Sequence, residues 1–164
     1  MFAKPKSIRH AFITDDAFRV ISMIAARRGA NETGGPLVGY ASTDHALVIV
    51  DVAGPGPQGI CLPNSVTIDG AYATAFCANA SHISSGQHHY LGDWHVHNAD
   101  NAEPSPRDFV ALKKLPATNA WGYPTISLIL SAKLDYYVCL CRIGRKFTFV
   151  ECAVLPTSDS CPLE

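Results

Sequence analysis

Two histidines one residue apart, His95 and His97, followed at a fixed distance by Ser105 and Asp108, restrict the folds open to this chain more than any other feature. Residues 91–97 alternate in the manner of a strand, so the two imidazoles share one face with their Cα atoms roughly 6 to 7 Å apart. Seven residues, Asn98 to Pro104, then lead to Ser105-Pro106, which opens a helix-like run as far as Leu115. The chain must turn back there. Ser105 and Asp108 are three apart and share a helix face, so a helix returning over the strand end would aim Asp108 at both imidazoles. His95, His97 and Asp108 then make a three-ligand set with a fourth position left for water, the layout of a catalytic zinc site. A plainer reading stands beside this one. Serine at the cap, proline at the first helical position and an acid three residues on are also the ordinary start of a helix.

The full register H-x-H-x7-S-x2-D, with Glu32-Thr33-Gly34-Gly35-Pro36-Leu37-Val38-Gly39-Tyr40 upstream, resembles the JAMM (JAB, MPN-plus) metalloprotease family. In that family a glutamate shortly precedes a small-residue, leucine-glycine strand, and the His, His, Ser, Asp set follows. The likeness runs over most of the chain in element order. It implies that His95, His97 and Asp108 hold zinc, that Glu32 is the general acid and base, and that Ser105 helps hold the developing oxyanion. Taken alone, a glutamate beside paired glycines would read as a solvated loop residue. Val96 and Asn98 depart from the family, many of whose members carry serine or threonine between the histidines and proline after the second. Neither position is a ligand, so the departure bears on subfamily and substrate.

At 164 residues and 48% hydrophobic content, the chain has the size of one compact domain, expected over 1–155 with a flexible polar tail over 156–164. Thirteen basic residues against 14 acidic ones, with no basic run longer than a pair, exclude nucleic acid as the expected partner, because backbone binding needs a concentrated positive face. The apolar runs are strand-sized and residues 1–7 contain no signal-like core, which points to a cytoplasmic protein with no membrane partner. Six cysteines in that compartment are expected as reduced thiols packed like small hydrophobes. Cys139, Cys141 and Cys152 form an alternative metal set, although C-x-C lacks the usual C-x2-C knuckle.

The remaining elements follow from periodicity and punctuation. A strand is expected over 7–13, then a helix opened by Thr14-Asp15-Asp16 and running to about Arg28, with Phe18, Ile21, Ile24 and Ala25 as its buried stripe and Gly29 as its stop. Residues 31–35 read as a connection, 36–41 and 46–52 as a hairpin, 53–59 as a Gly and Pro loop, 65–69 as a short strand and 70–83 as a second helix. Three more strands are expected over 125–132, 136–143 and 146–154. The sum is α+β, a curved and mostly antiparallel sheet flanked by helices. This agrees with the cytidine-deaminase-like JAB/MPN fold that the resemblance implies, in which the 53–59 loop would lie beside the cleft.

The chemistry the resemblance implies is zinc-dependent hydrolysis of the amide bond after the C-terminal glycine tail of a ubiquitin-like modifier. The short interval from Asp108 to the strand expected at Thr125 leaves no room for a large second insertion. It fits a minimal bacterial member serving a ubiquitin-like conjugation pathway, with its own activating and conjugating enzymes and a place in phage defence. Three alternatives keep parts of the pattern: a processing protease for a sulfur carrier or phage tail protein, a non-catalytic MPN-type scaffold, and a RadC-like DNA-associated protein.

Overall fold

The computed structural model describes residues 6–42 and 45–156, so of the tail expected over 156–164 only Pro156 falls within it. In chain order the elements are β1 (His10–Thr14), α1 (Asp15–Ala26), β2 (Thr33–Ala41), β3 (Ala46–Val52), β4 (Ile60–Leu62), β5 (Ser65–Thr67), α2 (Gly70–Ile83), β6 (His89–Val96), α3 (Pro106–Lys114), β7 (Ile126–Leu130), β8 (Tyr137–Ile143) and β9 (Lys146–Leu155). Seven strands close on themselves in the order β1-β3-β2-β6-β7-β8-β9, and β4 and β5 form a separate two-stranded hairpin. Pairs β2–β3, β2–β6, β7–β8 and β8–β9 are antiparallel, whereas β1 runs parallel to both β3 and β9 and β6 runs parallel to β7. The α+β class is the one that the alternating and helical patterns indicate. No helix among the described residues is long and apolar enough to cross a membrane.

Helix α1 begins as its sequence dictates. Thr14 Oγ1 accepts the Ala17 N–H at 3.3 Å, Asp15 and Asp16 occupy the positive end of the helix dipole, and Ala17, Ile21 and Ala25 are buried. The last turn ends at Ala26, before the left-handed Gly29 at φ 61°. Inside the barrel, Leu37, Leu47, Ile49, Leu91, Trp94, Ile126 and Leu130 are fully buried; a side chain of this size contributes about 1.5 to 3 kcal/mol on burial. Trp94 also satisfies its indole N–H, which donates to Ala53 O at 2.9 Å.

This core fixes the site through β6. Leu91, Trp94 and Val96 are buried, so Asp93, His95 and His97 face the other way. A slip of one residue would drive the imidazoles inward and the indole outward. The expected connection over 31–35 is corrected by β2, whose ladder begins at Thr33 and sets Gly34 opposite His95 and Gly35 opposite Trp94. A Cβ on Gly34 would lie 2.2 Å from Trp94 O, and one on Gly35 would lie 1.9 Å from Ala53 O. The glycines are strand residues that permit close backbone approach, and they bring Glu32 to the mouth of the ladder. The strand expected over 65–69 is one arm of the β4–β5 hairpin, whose other arm starts directly after the Gly and Pro loop.

Candidate metal centre

Strand β6 and helix α3 meet at a point. The Nε2 atoms of His95 and His97 are 2.9 Å apart. Asp108 Oδ1 lies 3.0 Å from His95 Nε2 and Oδ2 lies 3.3 Å from His97 Nε2. Ser105 caps α3 and shares a reciprocal box with Asp108: Ser105 Oγ accepts the Asp108 N–H at 3.4 Å, and Asp108 Oδ2 accepts the Ser105 N–H at 2.6 Å. The helix-start reading and the ligand reading of this segment therefore coexist, because the bond that closes the cap also orients the carboxylate.

The donor set suits a divalent cation of the zinc type. Two imidazole nitrogens and a carboxylate converge with all donor atoms within 4.8 Å, a mixed N/O set that hard, oxygen-seeking cations do not favour. Their separations of 2.9 to 3.3 Å approach the ~3.3 Å edge of a tetrahedron around zinc with ligands at about 2.0 to 2.1 Å. Among the described residues no other group of three such side chains converges, so Cys139, Cys141 and Cys152 do not form the alternative set. Burial pushes the Cys141 thiol up to about 11 and Cys152 up to about 12, the behaviour of thiols packed as small hydrophobes.

Burial would raise the Asp108 carboxyl, but hydrogen bonds with His95, His97 and Ser105 hold it well below the usual carboxylate range. The same Asp108 contact raises His97 against the opposing effect of its own burial. Burial also raises Glu32, with the nearby imidazoles of His95 and His97 pulling it back. Glu32 lines a cavity of about 130 Å³ together with His95, Asp108, Asn64 and Arg107, and a second cavity of about 570 Å³ with His97 and Ser105. The five residues singled out from the sequence are spread over these two cavities, which share Glu32, Asn64 and Arg107. His95, His97 and Asp108 touch one another, while Glu32 and Ser105 stand in the walls.

Two further residues line the smaller cavity and carry weaker sequence signals. Asp93 lies two residues before His95 on the same face, accepts the Tyr90 hydroxyl at 2.9 Å and is pushed up to about 6 by burial, against the lowering effect of that hydrogen bond; extending the alternation back by one step finds it. Arg107 sits inside the Ser105–Asp108 register, and its Nη1 donates to Asn64 O at 3.1 Å. In the 53–59 loop, Gly54 and Pro55 line a further cavity with Thr33, Arg27, Arg28 and Cys61. The wall beside Glu32 is the β4–β5 hairpin, through Asn64, Ser65 and Val66.

A mixed α+β barrel with a His, His, Asp cluster between a strand end and a returning helix defines a JAB-type domain. Residues 14–138 match the family described as prokaryotic homologs of the JAB domain, and the chain belongs to that family. Over 77 residues it is 35% identical to the CD-NTase/cGAS isopeptidase of Vibrio cholerae serotype O1 (strain ATCC 39315 / El Tor Inaba N16961), a match covering 47% of this chain and 49% of that protein. The chain thus spans about half the length of that curated relative. The solution structure of protein DSY2949 from Desulfitobacterium hafniense aligns with a TM-score of 0.68 over 89% of this chain and 93% of that one. At 17% identity this likeness speaks for the fold alone.

Proposed function

We propose that this domain, residues 1–155, is a zinc-dependent hydrolase that cleaves the amide bond after the C-terminal glycine tail of a ubiquitin-like modifier. The observation that carries the reading is the convergence of His95, His97 and Asp108 at 2.9 to 3.3 Å, in a cleft whose wall holds Glu32. His95 Nε2, His97 Nε2 and the Asp108 carboxylate would hold the ion. When bound, zinc supplies Lewis acidity and lowers the pKa of the water it carries to about 7.

The chain's own groups do the rest. Glu32 takes a proton from the attacking water on a carboxylate oxygen and delivers it to the departing amine nitrogen, a role worth about 10² to 10⁴ in rate. Its half-buried place in the cleft wall, outside the donor cluster, suits this exchange, because a carboxylate that holds no ion is free to take up and release the proton. Ser105 keeps its own hydroxyl proton to donate, since its oxygen accepts from Asp108 N–H; an oxyanion donor of this kind is worth about 10² to 10³.

The curated relative's name, an isopeptidase, supports a conjugate joined through an isopeptide bond as substrate; cognate activating and conjugating enzymes as partners, and a bacterial, cytoplasmic, antiphage setting, belong to the proposal itself. A mass-resolved cleavage assay against a panel of fusions, each joining a ubiquitin-like protein through Gly-Gly to a lysine side chain or a peptide, tests this. Release of a free Gly-Gly terminus is expected. Zinc-loaded protein that leaves every fusion intact would remove the basis for the reading.

A further inference from the structure

Three consecutive carbonyl oxygens at the turn of the β4–β5 hairpin are each bonded by a different part of the cleft. The Glu32 N–H donates to Leu62 O at 2.8 Å, the Asn98 side-chain amide to Pro63 O at 2.7 Å, and Arg107 Nη1 to Asn64 O at 3.1 Å. Asn98 Nδ2 also donates to Ala30 O at 2.6 Å. Both hydrogens of the amide are thereby used, and they reach carbonyls 68 and 35 residues away in the chain.

Asn98 is exposed and directly follows His97, so it adds nothing to the packed core. Its effect is to join three segments: the end of β6 that carries the histidines, the approach to β2 that carries Glu32, and the hairpin that walls the cleft. The backbone around Glu32 is then held at Ala30 by Asn98, at Glu32 itself by Leu62, and at Thr33 by the ladder to Val96. Given the reading of Glu32 as the base, we infer that Asn98 is a positioning residue, which registers the Glu32 carboxylate and the hairpin against the histidine strand. Its amide is spent on Ala30 O and Pro63 O, so it acts through Glu32.

The change Asn98→Asp keeps the size of the side chain, removes both donors and sets a carboxylate against two carbonyl oxygens. Amide hydrogen exchange over 30–33 and 60–67 is expected to accelerate at least about tenfold, with β6 and β7 unchanged, because the opening is local. Zinc content should match the parent. On a peptide ending in Gly-Gly-aminomethylcoumarin, kcat should fall by about 10² with KM within about twofold, the effect of a misplaced catalytic group. Put into a Glu32→Gln background, Asn98→Asp should cause no further loss, since a residue acting through Glu32 has nothing left to position. Unchanged exchange over both segments would overturn the inference, as would an equal fold-loss with and without Glu32. A parent that cleaves no Gly-Gly probe would count against the hydrolase reading instead, and the exchange measurement decides the clamp by itself.

Discussion

Asp108 Oδ2 accepts the backbone N–H of Ser105 at 2.6 Å while standing 3.3 Å from His97 Nε2. One oxygen therefore closes the cap of α3 and faces the metal-donor cluster, which couples the start of the helix to the geometry of the site. Ser105→Ala separates the two. It deletes the hydroxyl but keeps the N–H bond to Asp108, so zinc content should stay near one per chain. Loss of the cap should cost about 1 kcal/mol, or roughly 2 to 4 °C in melting temperature for a chain of this size. Loss of the oxyanion donor should lower kcat by about 10² to 10³. Calorimetry with turnover on the same sample checks both, and a destabilised variant with full kcat would leave Ser105 as a cap only.

Metal analysis should find one zinc per parent chain. His97→Ala and Asp108→Ala should lose most of it, since each removes a converging donor, whereas Cys139→Ser should keep it because Cys139 belongs to the buried core. Zinc that follows the cysteine would move the site to β8.

The metal-free and zinc-loaded forms should respond oppositely to pH. Without zinc, the contact with Asp108 raises His97, so its stabilising contribution is complete below the unfolded pKa of about 6.5 and disappears as pH rises through the folded value. With zinc, protons compete with the ion for the imidazoles, so loading strengthens as pH rises. Melting curves between pH 5 and 8 (a range of about the histidine titration) should therefore fall with pH for the stripped protein and rise for the loaded one. Parallel curves would contradict this.

Gly34→Ala should be costly out of proportion to its size. Its Cβ would meet Trp94 O at 2.2 Å, forcing β2 away from the histidine strand, and overpacking of this kind costs about 1 to 3 kcal/mol. Gly70→Ala is the contrast, because nothing lies within 4 Å of its new Cβ at the start of α2, and it should be neutral or stabilising by up to about 1 kcal/mol. Denaturant midpoints compare the two, and equal shifts would mean that the Gly34 contact relaxes freely.

The pattern of success and failure in the sequence is physical. The β6 register was legible because alternation and the histidine spacing are local, and α1 because its cap, acids and apolar stripe lie within its own span. Gly34 and Gly35 read locally as a connection because their meaning lies in backbone elsewhere in the chain, Trp94 O on the partner strand for Gly34 and Ala53 O for Gly35, each too close for a Cβ. The β4–β5 hairpin escaped because Ile60-Cys61-Leu62 is too short to show a period beside the Gly and Pro loop. Barrel closure depends on β1 pairing with β3 and β9 at once, which no local pattern encodes. Asn98 was visible only as a departure from a family pattern; the carbonyls it binds are distant in sequence.

Glu32 separates catalysis from metal binding, since it lines the cleft outside the converging donor set. The most direct test is to measure zinc content and turnover side by side for the parent and Glu32→Ala, on a Gly-Gly fusion that the parent cleaves. The mechanism proposed here requires one zinc in each and a loss of turnover of at least about 10² in the variant. A Glu32→Ala protein that keeps its zinc and turns over at the parent's rate would contradict it.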